Sequence, residues 1–183
     1  MLDLAQATLA VVDFQNKLMP GGPENVRPFL DNAVKLIACA RCLDIPILVT
    51  EQNPDRLGRT NDVIAEALGD IPRFGKLEFS CASHEGFRAA LRATGRRQVL
   101  VTGMETHICV MQTALGLKER GYESFVVRDA VLSMRDEERQ AGLQRLVQEG
   151  VKLVTAQMAI FELLRAAGTP EFKRMLPLLK ARD

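Results

Sequence analysis

Short apolar runs alternate along the chain with longer segments of helical periodicity, and this alternation constrains the fold more than any other feature. Five runs have the apolar, mostly β-branched composition of strands that are buried on both faces. They cover residues 9–12, 47–49, 99–101, 125–127 and 151–154. Between them, apolar residues recur three or four positions apart, as in 26–43 and 136–149. Because repeated strand–helix units cross over with one handedness, we predict a single-domain, three-layer α/β/α fold around a mostly parallel, Rossmann-like, six-stranded sheet.

Composition and charge are those of a globular protein and disfavour a nucleic-acid partner. The 183 residues are 47% hydrophobic and 26% charged, and 24 basic against 23 acidic residues leave a formal charge of +1. A chain so balanced has no overall attraction to a phosphate backbone. With 5% aromatic residues and no Trp, it also lacks a platform on which bases would stack.

Membrane and targeting signals are not visible in the sequence. No apolar stretch approaches the ~20 residues of a transmembrane helix, and the first residues carry no basic segment of a secretory signal. Four cysteines in a chain of this length are expected as free thiols rather than as a disulfide scaffold. The sequence therefore predicts a cytoplasmic protein with no membrane partner.

Common cofactor and metal motifs do not occur in the sequence. The turn after the first predicted strand, 13–17, contains no glycine, and neither G-x-G-x-x-G nor G-x-x-x-x-G-K-[ST] is found, which disfavours dinucleotides and P-loop chemistry. Cys39 and Cys42 form a C-x-x-C inside a predicted helix with no second ligand pair, which favours packing over zinc binding or redox chemistry. We predict no cofactor and no metal.

Cys109 is the candidate nucleophile, because it stands near the start of a predicted helix that follows a buried strand. The free N–H groups of a helix start stabilise a thiolate and can hold an oxyanion. Neither histidine is an obvious base: His107 points away from Cys109 on a helix, and His84 is expected as an exposed residue at another helix start. The base must then be a carboxylate, and Asp13 follows the first strand. Lys76, flanked by apolar residues, is the candidate cation; the alternative is a side chain that runs along apolar surface to reach solvent.

Three of these segments together resemble the isochorismatase-like cysteine hydrolases, the superfamily that includes nicotinamidases and N-carbamoylsarcosine amidases. The matching residues are VVDFQ at 11–15, FGK at 74–76 followed by FS at 79–80, and VTGMETHICV at 101–110, in the family's order. The resemblance implies one domain over residues 1–183, in which Asp13, Lys76 and Cys109 form the catalytic triad of a hydrolase that acts on a small molecule.

The resemblance also implies the arrangement around the nucleophile. It places a cis peptide between Met104 and Glu105, which would turn the N–H of Glu105 toward an oxyanion, beside the N–H of Cys109. In the implied reaction Asp13 accepts the thiol proton, the sulfur attacks a carbonyl or carboximidic carbon, and water then clears the acyl-enzyme.

The segment after the second strand departs from the family's metal-dependent members. Nicotinamidases carry a D-x-H motif there, whereas residues 51–58 read EQNPDRLG without a histidine. True isochorismatases cleave a vinyl ether and lack the nucleophilic cysteine that Cys109 would supply here. The T-E-Q-x-P-x-x-L-G run resembles the isochorismatase domain-containing branch. In this run Gln52, like Gln15 after the first strand, stands at a strand end where it can position substrate or water.

Three functions remain open on the sequence alone. The first is a metal-independent cysteine hydrolase of a C–N bond in a small amide or carbamoyl compound. The second is a hydrolase of another bond, such as an ester or a vinyl ether, and the third is a binding protein that keeps the triad without using it. The family also implies a homo-oligomer, for which the apolar residues at 158–164 and 175–179 can supply either an interface or ordinary core.

Overall fold

The computed structural model describes residues 1–21 and 23–180, in which six β-strands alternate with α-helices. The strands are β1 (Ala7–Val12), β2 (Ile47–Gln52), β3 (Arg73–Lys76), β4 (Gln98–Met104), β5 (Glu123–Leu132) and β6 (Lys152–Val154). The helices are α1 (Pro23–Cys42), α2 (Pro54–Leu57), α3 (Asp62–Leu68), α4 (Glu85–Ala93), α5 (Met111–Glu119), α6 (Asp136–Gln148), α7 (Ala156–Leu164) and α8 (Pro170–Lys180). A π-helical turn, Thr106–Val110, leads into α5.

The six strands form one parallel sheet in the order β3-β2-β1-β4-β5-β6. Helices α1, α3, α7 and α8 contribute buried residues to the core on one face, and α4, α5 and α6 contribute to the core on the other face. The predicted three-layer α/β/α fold is therefore confirmed. The strand order changes direction between β1 and β4, and such a switch point is where parallel sheets of this type bind ligands.

Strand β1 shows why an unbroken apolar run was the right signal for this sheet. Its residues alternate between the two cores: Leu9 and Val11 pack on one face, and Ala10 and Val12 on the other. Because both faces are covered by helices, every position of the strand is buried.

Three elements differ from the sequence prediction. Strand β3 (Arg73–Lys76) is the strand that none of the five apolar runs covers. It lacks such a run because it forms an edge of the sheet and is only partly buried. Strand β5 continues past the predicted 125–127 to Leu132, where it rejoins β4 after a shift in register between Val101 and Gly103. The segment after β4 starts with the π-helical turn rather than with a regular α-helix.

The apolar residues of the last two helices divide between core and surface. Ile160, Leu163 and Met175 are buried against the sheet. Met158 and Phe161 remain 48% and 46% exposed. These helices therefore supply core and, at the same time, an apolar surface.

Gly103 allows β1 and β4 to approach each other next to the candidate site. Its φ is +136°, and a Cβ atom at this position would lie 1.9 Å from the carbonyl oxygen of Val12. Any side chain would push apart the two strand ends that carry Asp13 and the segment leading to Cys109.

Candidate active site

The carboxyl ends of neighbouring parallel strands bring the predicted site residues to one edge of the sheet. Gln52 and Lys76, the last residues of β2 and β3, are partners in the strand register. Asp13 directly follows β1, whose last residue pairs with Thr50 of β2. Cys109 follows β4 within the π-helical turn. The three residues of the predicted triad are far apart in the chain, and the sheet topology gathers them at its carboxyl edge.

Asp13 and Lys76 form a fully buried ion pair. Lys76 Nζ donates to Asp13 Oδ2 at 2.6 Å, and both side chains are 0% exposed. The ammonium also donates to Gln52 Oε1 at 2.6 Å and to two backbone carbonyl oxygens of the following turn at 3.1 and 3.2 Å. The other carboxylate oxygen of Asp13 accepts a hydrogen bond from the Thr50 hydroxyl at 2.7 Å. Both charges are thus compensated by short polar contacts, as burial away from water requires.

The two predicted positioning glutamines occupy different places. Gln52 Oε1 accepts from Lys76 and is also the hydrogen-bond partner of the Cys109 thiol, with Sγ at 4.0 Å. Gln15 is fully buried, and its amide nitrogen donates to the carbonyl oxygens of Gln52 at 2.9 Å and Gly58 at 2.6 Å. Its amide oxygen accepts from the backbone N–H of Gln52 at 2.7 Å. Gln52 therefore touches two triad residues, whereas Gln15 fastens the loops that follow β1 and β2.

The Cys109 thiol is enclosed and faces a negative charge. The residue is 4% exposed. Burial, and after it the charge of Asp13, raise the pKa of Cys109 to about 12, while the Lys76 ammonium acts in the opposite direction. A helix start was expected to stabilise the thiolate; in the structure, burial and the charge of Asp13 instead favour the protonated thiol.

Thr50 and Cys81 belong to this cluster and were given no role from the sequence. The Thr50 hydroxyl lies between Asp13 and Cys81, with Cys81 Sγ at 3.5 Å. Cys81 is fully buried, and its backbone N–H donates to the Thr113 hydroxyl at 2.9 Å. Burial raises the pKa of Cys81 to about 11, with a further contribution from the charge of Asp13. The one usable signal was the position of Thr50 near the end of a strand that also carries Gln52.

Glu105 and His107 contact the residues that follow β5. The peptide between Met104 and Glu105 is cis. The Glu105 carboxylate, in a residue 7% exposed, accepts from the backbone N–H of Met134 at 3.1 and 3.2 Å, and burial raises the pKa of this carboxyl. His107 Nδ1 lies 3.2 Å from the Ser133 hydroxyl and 3.6 Å from Glu105. The imidazole thus contacts the loop after β5, and the oxyanion role of the Glu105 and Cys109 N–H groups stays a prediction.

The remaining candidates from the sequence have structural contacts. Cys39 is 1% exposed in the core, where burial and neighbouring Cys42 raise its pKa to about 12. His84 caps α4, its Nδ1 accepting from the N–H of Phe87 at 3.1 Å. Within residues 1–21 and 23–180, no three or more His, Cys, Asp and Glu side chains converge on a point that could hold a metal.

None of the helices in the described part of the chain combines the length and the apolar character needed to cross a membrane.

A parallel sheet covered by helices on both faces, with a polar cluster at its carboxyl edge, has the arrangement of an α/β protein that binds a ligand at its strand ends. The chain belongs to the isochorismatase family, whose domain profile, described as Isochorismatase domain, matches residues 7–158. The secreted isochorismatase effector Isc1 of Phytophthora sojae (strain P6497) is 39% identical over 149 residues, which are 79% of this chain and 71% of that protein. Isochorismatase domain-containing protein 1 of Salmo salar is 34% identical over 147 residues; 80% of this chain matches 52% of that protein. The chain therefore spans about half the length of this second relative.

Solved structures share the fold over nearly the whole chain. The structure described as the MAR1 ribonuclease of Caenorhabditis elegans has a TM-score of 0.88 and 32% identity, covering 100% of this chain and 94% of that one. YcaC from Pseudomonas aeruginosa, solved with hexane-2,5-diol and covalent acrylamide, has a TM-score of 0.84 and 26% identity, covering 96% and 89%. The family resemblance read from the three sequence motifs is confirmed.

Proposed function

We propose that this isochorismatase-family protein is a metal-independent cysteine hydrolase that cleaves the C–N bond of a small amide or carbamoyl compound. The observation that carries the proposal is the buried Asp13–Lys76 ion pair, to which the Cys109 thiol is linked through Gln52: the Gln52 Oε1 atom accepts from the Lys76 ammonium at 2.6 Å and is the hydrogen-bond partner of the thiol at 4.0 Å. A neutral thiol beside an ionised carboxylate is a nucleophile together with its general base.

In the first half of the proposed reaction, Asp13 takes the thiol proton as Sγ of Cys109 attacks the carbonyl carbon. Because burial and the charge of Asp13 raise the pKa of the thiol, we propose that this transfer accompanies the attack. The carbonyl oxygen gains the negative charge, which the backbone N–H groups of Glu105 and Cys109 stabilise. Asp13 then protonates the nitrogen, the C–N bond breaks, and the amine or ammonia departs.

In the second half, water attacks the carbon of the thioester formed on Cys109. Asp13 accepts one proton of this water, the C–S bond breaks, and the proton returns to the sulfur as the acid product leaves. Lys76 keeps the carboxylate oriented through the 2.6 Å contact. Gln52 positions the Lys76 ammonium and borders the thiol, so we propose it as a positioning residue.

The burial of the site favours a small substrate. Cys109 is 4% exposed, and the ion pair behind it is inaccessible to solvent. A polynucleotide backbone would not reach this sulfur without rearrangement of the surrounding loops, so the ribonuclease name of the Caenorhabditis elegans structure is not carried over to this chain. The covalent acrylamide in YcaC supports the choice of a small amide as a probe.

We also propose that the protein is a homo-oligomer. Leu77 and Phe79 follow Lys76 directly and are 72% and 54% exposed, and Met134, which bonds Glu105, is 50% exposed. Contact with another copy of the chain would remove these exposed apolar side chains from water, which favours association. Light scattering after size-exclusion chromatography tests this; a monomer at micromolar concentration would contradict it. A cytoplasmic location stays a prediction.

The experiment that tests the hydrolase is a panel of small amides, carbamoyl compounds, esters and vinyl ethers, with products identified by mass spectrometry. We expect ammonia or amine release by the native protein and by Cys42→Ala, which removes a partly buried thiol of α1, and none by Cys109→Ala. Acrylamide should add to Cys109 in the first two proteins only. Full turnover by Cys109→Ala would overturn the mechanism, and cleavage of esters or vinyl ethers alone would move the proposal to the second function class. If the native protein turned over no compound in the panel, the result would favour the third function class, a binding protein.

A further inference from the structure

A cleft lined by arginines lies at the amino edge of the sheet, opposite the candidate active site. It has a volume of about 520 Å³ and is bordered by Arg88 and Arg92 of α4, by Arg96 and Arg97 before β4, and by Arg120 and Tyr122 before β5. These six residues form the arginine cleft. The chain as a whole carries 24 basic and 23 acidic residues, so five guanidinium groups around one cavity are a strong local excess of positive charge.

Internal contacts compensate only part of this charge. Within the described residues, the carboxylate that forms ion pairs with these arginines is Glu85, which bonds both Arg88 and Arg92. Arg96 donates to the neutral carbonyl oxygens of Leu4 and Ala7 at 3.1 and 2.7 Å. Five cations thus share one anion, and no acidic side chain is found among the described residues that border the cavity.

Two other arginines have neutral partners. Arg120 donates to the carbonyl oxygen of Gly116 at 2.9 Å, near the end of α5. The guanidinium of Arg97 lies 5.6 Å from the centre of the Tyr122 ring. These contacts orient the arginines without neutralising them, so they remain able to bind an external anion.

Arg88 adds an unused donor. Its Nε is buried and has no hydrogen-bond partner among the described residues. A buried N–H without a partner costs free energy unless another group accepts from it. Arg88 lines the cavity, so an anion bound there would lie beside this guanidinium group.

The remaining lining gives the cavity an apolar side. Leu91 and Leu117 border it and are 1% exposed each, and Tyr122 adds a half-buried aromatic ring. A volume of about 520 Å³ lies in the range of small-molecule sites. A ligand that matches both parts carries two or more negative charges on oxygen atoms that accept from guanidinium groups. It also has an apolar part that can pack against the two leucines and the tyrosine ring.

We propose that the arginine cleft is a binding site for a small phosphorylated molecule of about nucleotide size. Phosphate groups suit it because each offers several oxygens to guanidinium forks, and a volume of about 520 Å³ fits a small ligand. The site lies at the opposite edge of the sheet from Cys109, so binding of this ligand does not depend on the proposed hydrolase activity.

The chain provides a local reporter, because Tyr122 is its one tyrosine and it has no tryptophan. Inorganic pyrophosphate, which does not absorb where tyrosine emits, is titrated at constant ionic strength while Tyr122 fluorescence is followed. We expect a saturable change, and about tenfold weaker binding in Arg92→Gln/Arg120→Gln. The matched control Arg27→Gln/Arg145→Gln removes two exposed arginines that pair with acids on α1 and α6, and should bind as the native protein does.

Three results would overturn the proposal. The first is the absence of a saturable change with the native protein at millimolar pyrophosphate, and the second is an equal loss in both double variants. The third is loss of binding in Cys109→Ala, which would place the anion at the other edge of the sheet.

A second titration, by calorimetry, addresses the size of the ligand. Adenosine diphosphate should bind at least about threefold more tightly than pyrophosphate if the apolar side of the cleft contributes. Binding of a short single-stranded oligonucleotide that is far tighter than that of either probe would overturn the small-molecule class in favour of a nucleic-acid surface.

Discussion

The two edges of the sheet handle charge in opposite ways. At the carboxyl edge one cation and one anion are completely buried and paired at 2.6 Å, with Gln52 and Thr50 completing their hydrogen bonds. At the amino edge the arginine cleft leaves most of its charge unpaired and open to solvent. One edge has its counter-charge built into the chain, whereas the other can receive it from outside.

In our proposals, the buried Asp13–Lys76 pair orients the reacting groups, whereas the arginines of the cleft bind a charged ligand. A buried pair is rigid, and removing one partner leaves an uncompensated charge at a cost of about 3–5 kcal/mol. Exposed arginines are screened by water and contribute about 0–1 kcal/mol to folding. The carboxyl edge should therefore be sensitive to substitution in both activity and stability, and the amino edge in ligand binding alone.

The largest effect is expected for Asp13→Asn, which removes the proposed general base and keeps the size of the side chain. Turnover should fall about 10²–10⁴-fold. The same change should make Cys109 easier to alkylate: the negative charge of Asp13 raises the pKa of this thiol, so its removal lowers that pKa and more thiolate is present at a given pH. Iodoacetamide labelling of the Cys109 peptide between pH 7 and pH 10 measures this.

Asp136→Asn, on the exposed first turn of α6, is the matched control and should change neither quantity. A parallel fall in turnover and alkylation would contradict the assignment, because loss of the fold rather than loss of a base would then explain the inactivity.

The second effect is on stability. Lys76→Met should lower the free energy of unfolding by about 3–5 kcal/mol, because the Asp13 carboxylate is left buried without its cation. Lys152→Met removes the cation of an exposed pair with Glu123 and should cost no more than about 1 kcal/mol. Urea unfolding of both variants gives the comparison.

The double variant Asp13→Asn/Lys76→Met supplies a further check on the pair. Its loss of stability should be smaller than the sum of the two single losses, since no lone charge remains buried. Additive losses would show that the two residues do not interact in the way the 2.6 Å contact implies.

A third prediction separates the two glutamines. Gln52→Ala leaves a Lys76 N–H without its acceptor, at a cost of about 1–3 kcal/mol in stability, and should lower kcat about tenfold with little change in KM. Gln15→Ala breaks contacts to backbone groups only and should destabilise by a similar amount while kcat stays within about threefold. Equal kcat losses would remove the distinction between a positioning residue and a loop fastener.

The fold could be predicted from the sequence because strands buried on both faces of a parallel sheet consist of continuous apolar runs. Where burial is partial the signal weakens: β3 is four residues with Arg73 and Lys76 at its ends, and the far part of β5 contains Arg128 and Asp129. These strands are held by pairing with their neighbours rather than by their own composition. Such pairing is a tertiary property that a local pattern does not contain.

The site was predictable as a set of residues but not as an electrostatic state. Strand ends and family motifs placed Asp13, Lys76 and Cys109 together, and the helix start suggested a stabilised thiolate. The opposite direction of the thiol pKa follows from burial and from the charge of Asp13, which depend on the packed structure. The arginine cleft could not be predicted from the sequence, because its members come from α4 and from two turns that are separate in sequence.

The smallest effect is expected at the amino edge. Arg92→Gln/Arg120→Gln should change the free energy of unfolding by less than about 1 kcal/mol, since both side chains are exposed and repel their neighbours as well as bonding Glu85 and a carbonyl oxygen. Pyrophosphate should raise the unfolding midpoint of the native protein and leave that of the double variant nearly unchanged, because only a ligand bound to the folded state stabilises it. Raising the salt concentration should remove the difference, since screening weakens contacts between exposed charges. A pyrophosphate-dependent midpoint that survives both the double substitution and high salt would place the anion elsewhere and end the contrast between the two edges.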